Sequence, residues 1–277
     1  MRLFADDSNI FITHEKPEIL KHKAETSLKH IQNWFTANKL TLNIEKSCYN
    51  IFAAHNKHIP EFLNSLKMGA TTINRVPTSK YLGLTLDEKL TFSPHIQQLQ
   101  NDLIKIIRSL KIIKNYVPIR DKNRLYFAYV HSKIKYGIEI YGQAATVHLN
   151  KIQRLQNRAL KTLHNKDYTT PTLKLHSDLN LLLIKDIYKH SIAQFVFRQK
   201  NNKLPEIFDN YFQSATHQHN TRQIEKMPTL RKRTEQGKNM LNYSGAKIWN
   251  SLPPKIRSVT SLYKLKRDSK LYYLSNY

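Results

Sequence analysis

Two adjacent carboxylates, Asp6 and Asp7, stand between two short apolar runs, Leu3-Phe4-Ala5 and Ile10-Phe11-Ile12. Apolar runs this short, parted by Asp, Ser and Asn, predict a β-hairpin with the acids at its tip. Side chains alternate along a strand, so neighbouring aspartates share one site only where the chain turns. Held that close, they repel unless a cation lies between them, and hard oxygen donors of this kind suit Mg²⁺, which also takes substrate phosphates. The bland alternative is a surface turn that uses Asp for its turn propensity.

Charge narrows the class of partner. The chain of 277 residues carries a formal net charge of +25, spread unevenly: residues 1–100 hold 12 Lys+Arg against 9 Asp+Glu, and residues 101–277 hold 33 against 11. A near-balanced first third joined to a strongly basic remainder fits a densely anionic partner, nucleic acid before a membrane surface. The apolar stretch at 179–184 is far too short to span a bilayer. Cys48 is the single cysteine, which excludes an internal disulfide and a cysteine-built zinc knuckle. The expectation is a soluble intracellular protein of the nucleus, the cytoplasm or both, without membrane or disulfide partner.

Helical periodicity is strong in several places. Leu20, Ala24, Leu28, Ile31 and Phe35 step by three and four and predict a helix over 18–38; a strand is expected over Leu42–Phe52, and 81–87 reads as a strand running into a turn. Ile96, Leu99, Leu103, Ile106, Leu110 and Ile113 predict one long helix, with Lys105, Arg108 and Lys111 beside its buried face. A second basic helix, 148–164, buries Leu149, Ile152, Leu155, Ala159 and Leu163. Its Lys151, Arg154, Arg158 and Lys161 also step by three and four, as a helix following a phosphate backbone requires. Basic residues can merely solvate a free helix face, but no acid interrupts this stripe to supply the i,i+4 ion pairs expected there. Further helices are expected near 183–197 and over 262–274. His217, His219, Thr221 and Arg222 read as polar loop, and Arg231-Lys232-Arg233 as a short basic linker. Trp249 reads as an apolar anchor.

Phe4-Ala5-Asp6-Asp7 between apolar runs resembles the catalytic hairpin of reverse transcriptases. Downstream landmarks resemble the non-LTR retrotransposon branch, the LINE and jockey-like elements. They are Trp34, Asn38-Lys39-Leu40, Leu42-Asn43 and Lys46-Ser47; Tyr81-Leu82-Gly83-Leu84-Thr85-Leu86-Asp87 with His95-Ile96; Tyr136-Gly137 to Gly142; and Asn242 to Pro254 with its Trp-Asn-Ser-Leu-Pro. The resemblance covers nearly the whole chain, in the right order. It implies an α+β fold: a truncated antiparallel-sheet palm over 1–90, a helical thumb-like region over 91–200, and a loop-rich basic C-terminal region over 201–277.

The resemblance further implies roles. Asp6 and Asp7 would hold the Mg²⁺ ions of nucleotidyl transfer. Lys46 would steady the leaving pyrophosphate, its alternative being a solvated lysine at a strand edge. Tyr81, Leu82 and Gly83 would grip the primer end. The basic helices would cradle an RNA template in an RNA–DNA or DNA duplex, with deoxynucleotides as substrates. In the family a first catalytic aspartate, the fingers and an endonuclease lie upstream, while five residues precede Asp6 here. The expectation is therefore a fragment that binds Mg²⁺ weakly and is inactive alone. The alternatives are a non-catalytic nucleic-acid-binding relic and, more remotely, a helical interaction protein.

Overall fold

A computed structural model describes residues 2–4, 7–54, 57–212, 226–229 and 231–277. The chain divides into two compact units, Met1–His95 and Ile96–Tyr277.

Among its described residues the first unit carries three two-stranded antiparallel sheets and one long helix. Strands β1 (Arg2–Phe4) and β2 (Asp7–Asn9) pair with Phe4 opposite Asp7. Helix α1 (Pro17–Ala37) begins on Pro17, whose fixed φ is already helical. Its apolar stripe is half-buried, with no residue fully enclosed. The helix packs on β3 (Ser65–Met68), which pairs with β4 (Thr71–Asn74). Glu25 of α1 accepts the Lys67 amide at 3.0 Å, and the Lys21 ammonium donates to the Phe62 carbonyl at 2.8 Å. Gly69 turns the β3–β4 hairpin at φ +61° beneath the Gln32 side chain.

Two sequence expectations fail here for identifiable reasons. The stretch Leu42–Phe52 is not a strand. The Asn43 side chain accepts the Lys46 amide at 3.1 Å, the Ser47 hydroxyl donates to the Asn43 carbonyl at 2.8 Å, and residues 44–46 form a turn. Asn and Ser compete with sheet ladders by such local bonds. Among the described residues the pairing of this stretch is a single parallel bridge between Tyr49 and Arg75. Likewise 81–87 is not one strand running into a turn. It folds back at its centre, with β5 (Thr78–Tyr81) paired to β6 (Leu84–Asp87) through Leu82 and Gly83 at φ +46° and +81°. Positive φ at both loop residues is what a tight hairpin requires; Leu82 in the place usually held by Asn or Asp conceals the signal. Asp87 is buried and structural, accepting the Thr91 amide and hydroxyl and the Phe92 amide.

The second unit is helical. Helix α2 (Ser93–Ile113) buries Ile96, Leu99, Leu103, Ile107 and Leu110; the inward residue in the fourth turn is Ile107 and not the expected Ile106. Then come α3 (Ile119–Leu125), a π-helical turn (Tyr126–His131), α4 (Ser132–Lys135), α5 (Ile138–Tyr141), α6 (Thr146–Leu163), α7 (Thr172–Asp178) and α8 (Ile184–Lys200). Helix α8 is the centre of the unit. Ten of its residues are buried, and α4, α5 and α6 pack against it. A helix covered on several sides shows no single apolar stripe, which is why its sequence pattern is weak.

Polar groups pin these helices. The buried Gln156 amide of α6 donates to Tyr126 Oη at 2.7 Å and to the Leu182 carbonyl at 2.9 Å, and Gln153 accepts the first amide of α8 at 2.8 Å. Gly142, closing α5, has no room for a side chain: a Cβ there meets the Ile138 carbonyl oxygen and the Tyr188 ring well inside van der Waals contact. Gly142→Ala is expected to lower unfolding free energy by about 1–3 kcal/mol through overpacking, as read by chemical denaturation.

The region expected to be loop-rich is so only in part. Beyond residue 234 it forms α9 (Glu235–Lys238), α10 (Leu241–Ser251), α11 (Pro254–Arg257) and α12 (Leu262–Leu274), and α10 and α12 pack on α8. Gly, Ser and Asn mask the period of α10, but burial of Gly245, Ala246 and Trp249 outweighs their low propensity. The terminal Tyr277 hydroxyl accepts the Leu183 amide at 2.7 Å and donates to Asp186 at 3.0 Å. His217, His219, Thr221 and Arg222 lie outside the described residues. Among the described residues no helix is long and apolar enough to cross a membrane.

Candidate nucleic-acid interface

Asp7 opens β2 and is exposed, while Asp6 lies outside the described residues. Shortly after β2 the Phe11 ring meets the Tyr81 ring edge-on, with centroids 5.9 Å apart. The segment leaving the acid hairpin and the start of the Tyr81-Leu82-Gly83 loop are thus brought together. Lys46 stands in the exposed turn made by Asn43, and its ammonium has no partner among the described residues. Among those residues no three His, Cys, Asp or Glu side chains gather in a way that could hold a metal ion.

The basic helices are built differently. In α2 the apolar residues turn inward, leaving Lys105, Arg108 and Lys111 exposed. Helix α6 contains no acidic residue. Its Ile152, Gln156, Ala159, Leu160 and Leu163 are buried, and Lys151, Arg154 and Arg158 are exposed on the outer side. None of these six cations forms an ion pair among the described residues. Lys161 is half-buried: its ammonium donates to the Tyr168 carbonyl and lies 5.4 Å from the centre of that ring. An unpaired run of guanidinium and ammonium groups on a rigid helix favours phosphate oxygens over a single counter-ion.

The chain is 32% identical over 130 residues to the probable RNA-directed DNA polymerase from transposon BS of Drosophila melanogaster, covering 46% of this chain and 14% of that protein. It is 27% identical over 198 residues to the RNA-directed DNA polymerase from mobile element jockey of the same fly, covering 70% of this chain and 21% of the relative. The chain is homologous to the polymerases of jockey-like non-LTR transposons. A third relative, the probable RNA-directed DNA polymerase from transposon X-element, is 31% identical over 122 residues, 41% of this chain and 13% of its own length. The matches therefore span between 13% and 21% of these relatives. No family model matches the chain, and no solved structure does.

Two half-buried histidines escaped the sequence pattern because nothing in their spacing marks them. His131 closes the π-helical turn, and His190 of α8 lies 2.9 Å from the Ser269 hydroxyl of α12. Burial, reinforced by Lys135 and Lys270, pushes the His131 imidazole down to about 4; His190 falls to about 4 for the same reasons, with Lys266 and His131 adding to the effect. A folded-state pKa below the ordinary 6.5 means that the unfolded chain binds more protons in acid. Stability is then complete above about pH 6.5 and declines as pH falls toward 4, by up to about 1.4 kcal/mol per pH unit for each histidine. Thermal melts from pH 7.5 to 4.5 should show this fall, and His190→Gln should make it about half as steep, His131 supplying the rest.

Proposed function

We propose that this chain is the part of a reverse transcriptase that runs from the acid hairpin through the primer grip and thumb, and that its own contribution is to hold the template–primer duplex. The observation that carries this reading is the acid-free α6, with Lys151, Arg154 and Arg158 exposed and unpaired, in a chain whose relatives are RNA-directed DNA polymerases. Residues 1–90 would correspond to palm, 91–200 to thumb and 201–277 to the basic C-terminal region. Asp6 and Asp7 would be metal-binding carboxylates in the parent enzyme, Lys46 a group near the leaving pyrophosphate, and Tyr81 to Gly83 the primer grip that Phe11 steadies. A polymerase must grip any sequence, so contacts to phosphate and duplex shape are the appropriate kind.

The 277-residue polypeptide alone is proposed to bind without catalysing. Among the described residues no three His, Cys, Asp or Glu side chains gather in a way that could hold a metal ion. The test is primer extension on an RNA template with Mg²⁺ and deoxynucleotides, run beside a binding measurement. Binding without product is expected, with Asp6→Ala and Asp7→Ala leaving affinity unchanged. If all six exposed cations of α2 and α6 meet phosphate, affinity should fall on the order of a thousandfold between about 50 and 200 mM salt. Product that Asp6→Ala abolishes would establish catalysis by the chain itself.

A further inference from the structure

Beyond α6 the chain makes a feature that the basic stripe does not explain. The helix closes at His164, Asn165 takes φ +50°, and the Lys166 amide donates to the Lys161 carbonyl at 2.9 Å. Two residues on, Tyr168 holds its side chain almost wholly in solvent, 94% exposed. Large aromatic side chains are usually buried or packed against a neighbour. One neighbour holds it: the Lys161 ammonium donates to the Tyr168 main-chain carbonyl, tethering the backbone, and sits over the ring at 5.4 Å. A cation on one side leaves the opposite face of the ring open. Burial, with the positive charges of Lys122 and Lys166 nearby, holds the His164 imidazole below its usual range. Asp167 is the single acid between 146 and 171.

A clamped, solvent-facing ring at the end of a phosphate-binding stripe has the chemistry of a base-stacking platform. Every nucleobase offers a π-face, and an aromatic partner already held in place loses little freedom on binding. A paired base is stacked within its own duplex and cannot use such a ring, whereas an unpaired one can. We infer that Tyr168, clamped by Lys161, stacks an unpaired nucleotide where a duplex lying on α6 passes into single strand. The inference rests on the reading of α6 as a duplex-binding helix, and adds a subsite selective for a single-stranded extension.

The experiment compares a blunt RNA–DNA duplex with the same duplex bearing a four-nucleotide RNA overhang, by fluorescence anisotropy on the full chain. The overhang should tighten binding about tenfold, the effect of roughly one stacked base. Tyr168→Ala should remove that gain while leaving blunt-duplex affinity unchanged, and Tyr168→Phe should keep it. In Tyr168→Trp, overhang binding should quench the new indole and blunt duplex should not. Equal wild-type affinity for both duplexes overturns this inference and leaves duplex binding intact. So does a Tyr168→Ala variant that weakens both alike. Failure of wild type to bind either duplex overturns both.

Discussion

Exchanging Arg154 and Arg158 together for glutamate is expected to weaken RNA–DNA duplex binding on the order of 100-fold at about 0.1 M salt. Each phosphate left without its arginine removes about one counterion-release step, roughly a factor of eight at that salt, and the introduced carboxylates add repulsion. Both side chains are exposed on the outer side of α6, and neither has an acidic partner among the described residues. Thermal stability should therefore change by less than about 0.5 kcal/mol. The milder Arg154→Gln/Arg158→Gln pair should reduce the slope of log affinity against log salt by about two. Binding curves at five salt concentrations, with circular dichroism melts, separate weakened binding from unfolding. An unchanged slope would remove α6 from the interface.

Trp249→Ala should destabilise the protein more than Gly142→Ala or any change to the exposed cations. The indole is 1% exposed within α10, which packs on the central α8, and the Lys200 ammonium lies 5.2 Å from its ring. Truncating so large a buried ring leaves a cavity and costs about 3–5 kcal/mol, against total stabilities of about 5–15 kcal/mol for ordinary domains. Most of the Ile96–Tyr277 unit should then unfold well below the wild-type midpoint in urea. Trp249→Phe should cost roughly half as much or less, because the indole N–H it deletes finds no acceptor among the described residues. Trp34, half in solvent on α1, is the control: its alanine variant should fall within about 1 kcal/mol of wild type. A midpoint for Trp249→Ala close to that of Trp34→Ala would show that α10 contributes little to the helical unit.

Helices whose period is set by their own apolar residues were legible from the chain. The 262–274 helix has the boundaries expected, and α2 differs mainly in its choice of Ile107 over Ile106. The outward positions of Lys151, Arg154 and Arg158 follow from the same period. Where polar side chains bond locally, as at Asn43 and Ser47, the apolar pattern of a strand is overruled. Where tertiary burial decides, as in α8 and around Trp249, the local signal is weak or hidden. The Tyr81–Asp87 hairpin was missed because Leu82 takes a backbone conformation that a leucine seldom adopts. Tyr168 was invisible for another reason: its significance lies in Lys161, seven residues earlier, and no periodicity links a helix to the loop that follows it.

The most direct measurement is photo-crosslinking of an RNA template–DNA primer duplex to the intact chain, followed by mass spectrometry of the modified peptides. Adducts should concentrate in peptides covering 105–111 and 151–168, and should disappear from the latter when Arg154 and Arg158 are made glutamate. Adducts confined to the basic segment 226–238, with α2 and α6 unmodified, would contradict the account.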